Sequence, residues 1–133
     1  MGPEDYSHLV KGTIMEVLGI EFETVTPERV VATMPVDNRT RQNMGLLHGG
    51  ASVVLAETVA SIGAWQHAGP GRTAVGMEIN ANHIRPKRSG KVRAVATPSF
   101  VGQNTTVWEI RITDEEDRLI CISRCTLAFV KSA

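Results

Sequence analysis

Apolar positions along the 133-residue chain repeat with two different periods. Over residues 6–18, Leu9, Val10, Ile14, Val17 and Leu18 recur at near-helical spacing and predict one short helix lying against the domain. Residues 19–25 and 29–36 read as two strands joined by a turn at Thr26, Pro27 and Glu28. Pro35 and the polar run 37–43 end that hairpin in a loop. Residues 48–67 are the one long helical block, stopped by Gly69, Pro70 and Gly71. Four strands follow over 74–85, 91–101, 105–113 and 118–130, separated by turn residues at 86–90, 102–104 and 114–117. Alternation is sharpest in the last two, where Trp108, Ile110 and Ile112 share a face, as do Leu119, Cys121, Cys125, Leu127 and Phe129.

The long helix carries apolar residues on nearly every face: Ala51, Val53, Val54, Leu55, Ala56, Val59, Ala60, Ile62, Ala64 and Trp65. Such a helix is expected to be buried all round. One buried helix and about six strands imply an α+β fold, a curved antiparallel sheet wrapped around one long central helix. No repeat, low-complexity tract or linker divides residues 1–133, so a single domain is expected. Against this pattern Glu57 stands out, because an unpaired carboxylate in a dry interior is costly. Two readings are open: a narrow wet stripe or internal partner that satisfies it, or a carboxylate kept for chemistry.

Composition narrows the field. A hydrophobic fraction of 42% and a charged fraction of 21% suit an ordinary soluble globular domain. The formal net charge is zero, which gives no global footprint for a nucleic-acid or membrane partner. An anionic ligand must then be held by a local basic cluster. The amino terminus carries Glu4, Asp5 and His8 and does not read as a signal peptide. No apolar run approaches the ~20 residues of a membrane span, so a cytoplasmic protein is expected. Cys121 and Cys125 lie four residues apart in one strand, roughly 13 Å at ~3.3 Å per residue, which is too far for a disulfide. Without nearby histidines they also make a poor metal site, and they read as core-lining thiols.

Upstream of Glu57, the sequence Gln42-Asn43-Met44-Gly45-Leu46-Leu47-His48-Gly49-Gly50 runs directly into the long helix. Free N–H groups at a helix start stabilise negative charge on a ligand oxygen, and glycines there admit close approach. That is the construction of an oxyanion hole. Gly49 and Glu57 are eight residues apart, about 12 Å along one helix at ~1.5 Å per residue. They can act on one carbonyl only if two copies of the helix lie antiparallel across a two-fold axis, which predicts an isologous dimer with two equivalent sites.

Gln42 through Ser61, with Gly45-Leu46-Leu47-His48-Gly49-Gly50-Ala51 at its core and Glu57 following, resembles the signature of hotdog-fold acyl-CoA thioesterases of the phenylacetate-degradation type. It most resembles the aryl-CoA branch: 1,4-dihydroxy-2-naphthoyl-CoA, enterobactin proofreading and 4-hydroxybenzoyl-CoA thioesterases. The similarity continues through Gly76-Met77-Glu78-Ile79-Asn80-Ala81-Asn82-His83 and into Val107-Trp108. The resemblance implies that Glu57 is the nucleophile or the general base. It implies that the Gly49 N–H polarises the thioester carbonyl, with Gln42 positioning that group. His48 sits where the family places a histidine near the thioester, and Ser61, one turn after Glu57, could hold water or orient the carboxylate. Each has a structural alternative: His48 as a helix cap, Gln42 as a loop brace, Ser61 as a small packing residue.

Burial is expected to raise the pKa of Glu57, and an opposing helix N-terminus to lower it. The basic residues Arg85, Lys87, Arg88 and Lys91 surround the 86–90 turn. The family commonly binds the nucleotide phosphates near this strand end and the Gly102 turn, which makes Arg85, Gln103 and Asn104 the candidates. For Lys87 and Arg88 a solvated charged hairpin is an equal explanation. The expected activity is hydrolysis of an acyl-CoA, an aromatic acyl group favoured, in a dimer or a dimer of dimers. No metal is expected and no separate cofactor, coenzyme A being part of the substrate. Dehydration of hydroxyacyl thioesters and non-catalytic acyl-CoA binding are the alternatives.

Overall fold

The computed structural model describes residues 6–132; Glu4 and Asp5 of the polar amino terminus lie outside the described residues. Six antiparallel strands form one sheet: β1 (Glu21–Thr26), β2 (Arg29–Pro35), β3 (Arg72–His83), β4 (Lys91–Val101), β5 (Thr105–Thr113) and β6 (Leu119–Lys131). Their order is β1-β2-β4-β5-β6-β3, so β1 and β3 are the edges. Between β2 and β3 the chain forms the long helix α3 (Gly49–Trp65), which packs on the sheet. This is the expected α+β architecture, one central helix against a six-stranded antiparallel sheet.

The period of two sets which side chains meet the helix. Val30, Ala32 and Met34 of β2, Val92, Ala94 and Ala96 of β4, and Trp108, Ile110 and Ile112 of β5 are all buried. Cys121, Cys125, Leu127 and Phe129 continue that face on β6. Both thiols are free and buried, and burial pushes the Cys121 thiol up. Small helix residues allow close contact with this surface. A Cβ on Gly63 would stand 2.5 Å from the Trp108 ring. The buried indole keeps its polar edge satisfied, because Nε1 donates to Thr106 Oγ1 at 2.9 Å.

Three expectations change. The 6–18 segment is two short helices, α1 (Ser7–Val10) and α2 (Ile14–Leu18), rather than one. Gly12 takes a φ of 77°, which breaks the first, and Thr13 restarts the second by accepting from the Met15 N–H at 3.2 Å. The long helix begins at Gly49 rather than His48 and ends at Trp65 rather than His67. At that end Gln66 Nε2 donates to Thr26 O at 2.9 Å, tying it to the β1–β2 turn.

The third change matters most for function. Within one chain α3 is not buried all round. Leu55, Ala56, Val59, Ala60, Gly63 and Ala64 are buried, whereas Val54, Glu57, Thr58, Ser61 and Ile62 are only half-buried and Trp65 is 51% exposed. A single sheet covers one side of a helix, and the opposite apolar stripe remains open. No helix among the described residues is long and apolar enough to cross a membrane.

Candidate active site

The loop before α3 is held by its own backbone. Gln42 Oε1 accepts from the Met44 N–H at 2.5 Å and the Leu46 N–H at 3.3 Å. Gly45, with a φ of 81°, makes the turn that permits this. The side chain of Gln42 is therefore a loop brace, and it also lines the adjoining cavity. His48 caps α3: its Nδ1 accepts from the Gly50 N–H at 2.7 Å, which leaves Nδ1 unprotonated. The structural alternative for His48 is thus realised.

With Gly50 occupied, the Gly49 N–H has no acceptor among the described residues. It is an unpaired donor at the positive end of a 17-residue helix. Gly49 lines a cavity of about 300 Å³ together with Gln42, Leu46, Ser52, His83 and Arg85. His83 was given no role by the sequence. It reaches the helix start from the end of β3, so close that a Cβ on Gly49 would lie 2.8 Å from its Nε2. The available signal was its phase: His83 shares the core face with Ile79 and Ala81, opposite the buried Cys121.

Glu57 lies two turns further along α3. Its carboxylate has no hydrogen bond or ion pair among the described residues. It lines a second cavity, about 350 Å³, with Ile14, Met15, Val54, Thr58, Ser61 and Ile62. Ser61 is therefore brought beside Glu57, as its spacing implied. The carboxylate also rests against Gly76 of β3. The nearby Cys125 thiol is pushed up to about 12, by burial first and then by the charges of Glu57 and Glu78. The two cavities share no lining residue. One chain thus carries the unpaired Gly49 donor and the Glu57 carboxylate in separate cavities.

The basic residues divide in the same way. Arg85 lines the first cavity, and its Nη1 donates to Leu119 O at 3.2 Å. Lys87 is committed to Glu115 at 2.6 Å, and chiefly through that bond the Glu115 carboxyl falls to about 2. Gln103 and Asn104 sit at the β4–β5 turn. There Gln103 O accepts from Arg72 Nη1 at 2.9 Å, and Asn104 O accepts from the Phe129 N–H at 3.0 Å. Leu119 and Phe129 are ten residues apart on β6, so Arg85 and the Gln103–Asn104 pair are roughly 30 Å apart. The structure does not bring these three together on one chain. Among the described residues no group of three or more His, Cys, Asp or Glu could hold a metal ion.

The sequence model of the thioesterase superfamily matches residues 44–121, which span the loop, α3, β3 and most of the sheet. The chain is 55% identical over 123 residues to ComA2 of Bacillus subtilis (strain 168), provisionally named an esterase, covering 92% of this chain and 98% of that one. It is 48% identical over 120 residues to 1,4-dihydroxy-2-naphthoyl-CoA hydrolase of Escherichia coli (strain K12), covering 90% and 88%. A solved thioesterase from Haemophilus influenzae superimposes with a TM-score of 0.92 at 46% identity, covering 98% of this chain and 92% of that one. Sequence and fold agree: the chain belongs to the thioesterase superfamily and is a thioester hydrolase with the hotdog fold.

Proposed function

We propose that the protein hydrolyses an acyl-coenzyme A, an aromatic acyl group preferred, and that hydrolysis depends on Glu57. The observation that carries this reading is the unpaired Glu57 carboxylate facing an otherwise largely apolar cavity. A carboxylate without partners is free to attack the thioester carbon, or to take a proton from water that does so. In either route the carbonyl oxygen becomes negative, and the unpaired Gly49 N–H of a second subunit would supply a donor for it, since Gly49 and Glu57 of one chain line separate cavities. The carbon–sulfur bond then breaks as the carbonyl re-forms. On the base route the sulfur takes the proton that Glu57 removed from water, and the free acid leaves directly. On the nucleophile route the coenzyme leaves as thiolate and is protonated by solvent; water then hydrolyses the acyl–Glu57 anhydride, which releases the acid and restores the carboxylate.

Support for an aromatic acyl group comes from the lining of the second cavity. Ile14, Met15, Val54 and Ile62 offer apolar walls to a ring, and Thr58 and Ser61 offer hydroxyls to its substituents. Two relatives, from Escherichia coli and Listeria monocytogenes, bear the name 1,4-dihydroxy-2-naphthoyl-CoA hydrolase, which is an aryl thioester activity.

The test is thiol release over a panel of aryl- and alkyl-CoA esters, beginning with benzoyl-CoA. Aryl esters should give the higher kcat/KM. Glu57→Gln should remain folded and lose at least ~10³-fold in kcat, the scale of a lost nucleophile or base. A variant that keeps a tenth of wild-type turnover would remove Glu57 from the mechanism.

A further inference from the structure

We propose that Gly76 is a positioning residue, the seat against which the Glu57 carboxylate is aimed. This rests on the reading of Glu57 as the catalytic carboxylate and adds a constraint from a different element.

Gly76 occupies a core-facing position in the interior of β3, opposite Leu127. Glycine weakens a strand interior, so its presence marks a close approach or a bulge. Its φ lies outside the left-handed region, and backbone conformation therefore does not demand it. A Cβ at Gly76 would collide with Oε2 of Glu57, the end of a flexible side chain, and stand 3.3 Å from its Cδ, so it is the carboxylate that would have to move. No hydrogen bond or ion pair holds this carboxylate among the described residues, and the place its Oε2 occupies is one that a side chain on the strand would fill.

A second observation lies one residue on. The β3–β6 register shifts between Gly76 and Glu78, leaving Met77 as an extra residue that is 62% exposed. Bulges re-aim side chains beside functional sites. Because strand side chains alternate, an unbulged β3 would turn Ile79, Ala81 and His83 away from the face that Gly76 shares. The bulge keeps all four on the side facing α3. It thereby lets one strand seat Glu57 at Gly76 and reach Gly49 with His83.

Gly76→Ala tests the seat through two readouts. The added methyl should displace the carboxylate, lowering kcat by on the order of 10²-fold for a displacement of about 1 Å. KM should stay within about two-fold, because binding contacts are untouched. The second readout is a cycle of unfolding midpoints with Glu57→Ala. The midpoint change caused by Gly76→Ala should be less favourable in the wild-type background than where the carboxylate is gone. Retention of kcat within two-fold, or an equal midpoint change in both backgrounds, would overturn the proposal. If Gly76→Ala alone fails to fold, restoration by Glu57→Ala supports the collision and its absence refutes it. Failure of the Glu57 reading is separate: it appears as an active Glu57→Gln, whereas failure of the seat appears as an active Gly76→Ala beside an inactive Glu57→Gln.

Discussion

Arg85 shows how a single side chain can be singled out by the partner it lacks. Its neighbour Lys87 is paired with Glu115, whereas Arg85 lines the cavity at the start of α3 with no carboxylate partner among the described residues. A guanidinium in that state suits a phosphate of the coenzyme, and a phosphate, which takes no part in the reaction, is bound alike in the ground and transition states. Arg85→Ala should therefore raise KM for acyl-CoA more than it lowers kcat. The comparison that checks this uses the same acyl group on a pantetheine stub. Equal sensitivity of both substrates would exclude a nucleotide contact. Glu57 and the paired glycines stand out in the sequence because each breaks a local pattern, an apolar helix and a helix start, whereas the roles of Gln42, His48 and Ser61 came only with the family resemblance. Gly76 was not legible as a seat. Its meaning depends on a carboxylate nineteen positions away in sequence, and no local period reports a contact between elements.

At the scale of elements, hydrophobic period recovered the order of strands and the long helix, with ends shifted by a residue or two. It failed at residues 6–18, where apolar spacing continues across Gly12 although the backbone there turns left-handed. It also could not reveal that the lysine of the 86–90 turn is bonded to the β5–β6 turn. That pairing carries its own prediction. The ordinary glutamate value of 4.5 falls to about 2 for Glu115, first through Lys87 and then through the Lys91 N–H. A depressed folded-state pKa means the unfolded chain binds the proton more readily, so this contribution to stability is present above pH 4.5 and is lost as pH falls towards 2. Glu115→Gln should flatten the decline of the unfolding midpoint across that window relative to wild type. Parallel declines in the two proteins would refute the coupling. The Glu115 side chain is 53% exposed, so the effect is a change of slope rather than a large loss at neutral pH.

The whole molecule raises a question that no element answers: what meets the open face of α3. α3 leaves a half-buried stripe through Val54, Glu57, Thr58, Ser61 and Ile62. Beside it, β3 is an edge strand whose Val75 and Met77 are 45% and 62% exposed. Unpaired edges and open apolar stripes favour association. A two-fold dimer with antiparallel helices would bring Glu57 of one subunit to Gly49 of the other, closing the ~12 Å offset that a single helix cannot. Dimers of this kind, paired again into tetramers, are our proposed assembly. Complementation tests the shared site directly. The Gly49 donor is backbone and cannot be removed by a side-chain change, so Gln42, which lines the same cavity, marks that half. Glu57→Ala and Gln42→Ala, each expected to be inactive alone, the second because the loop ahead of α3 loses its brace, are mixed under conditions that exchange subunits. If sites are shared, a heterodimer holds one site with both lesions and one with neither, and activity returns toward half of wild type per dimer. If each chain holds a complete site, mixing restores nothing, and demonstrated heterodimers without activity would refute the shared arrangement.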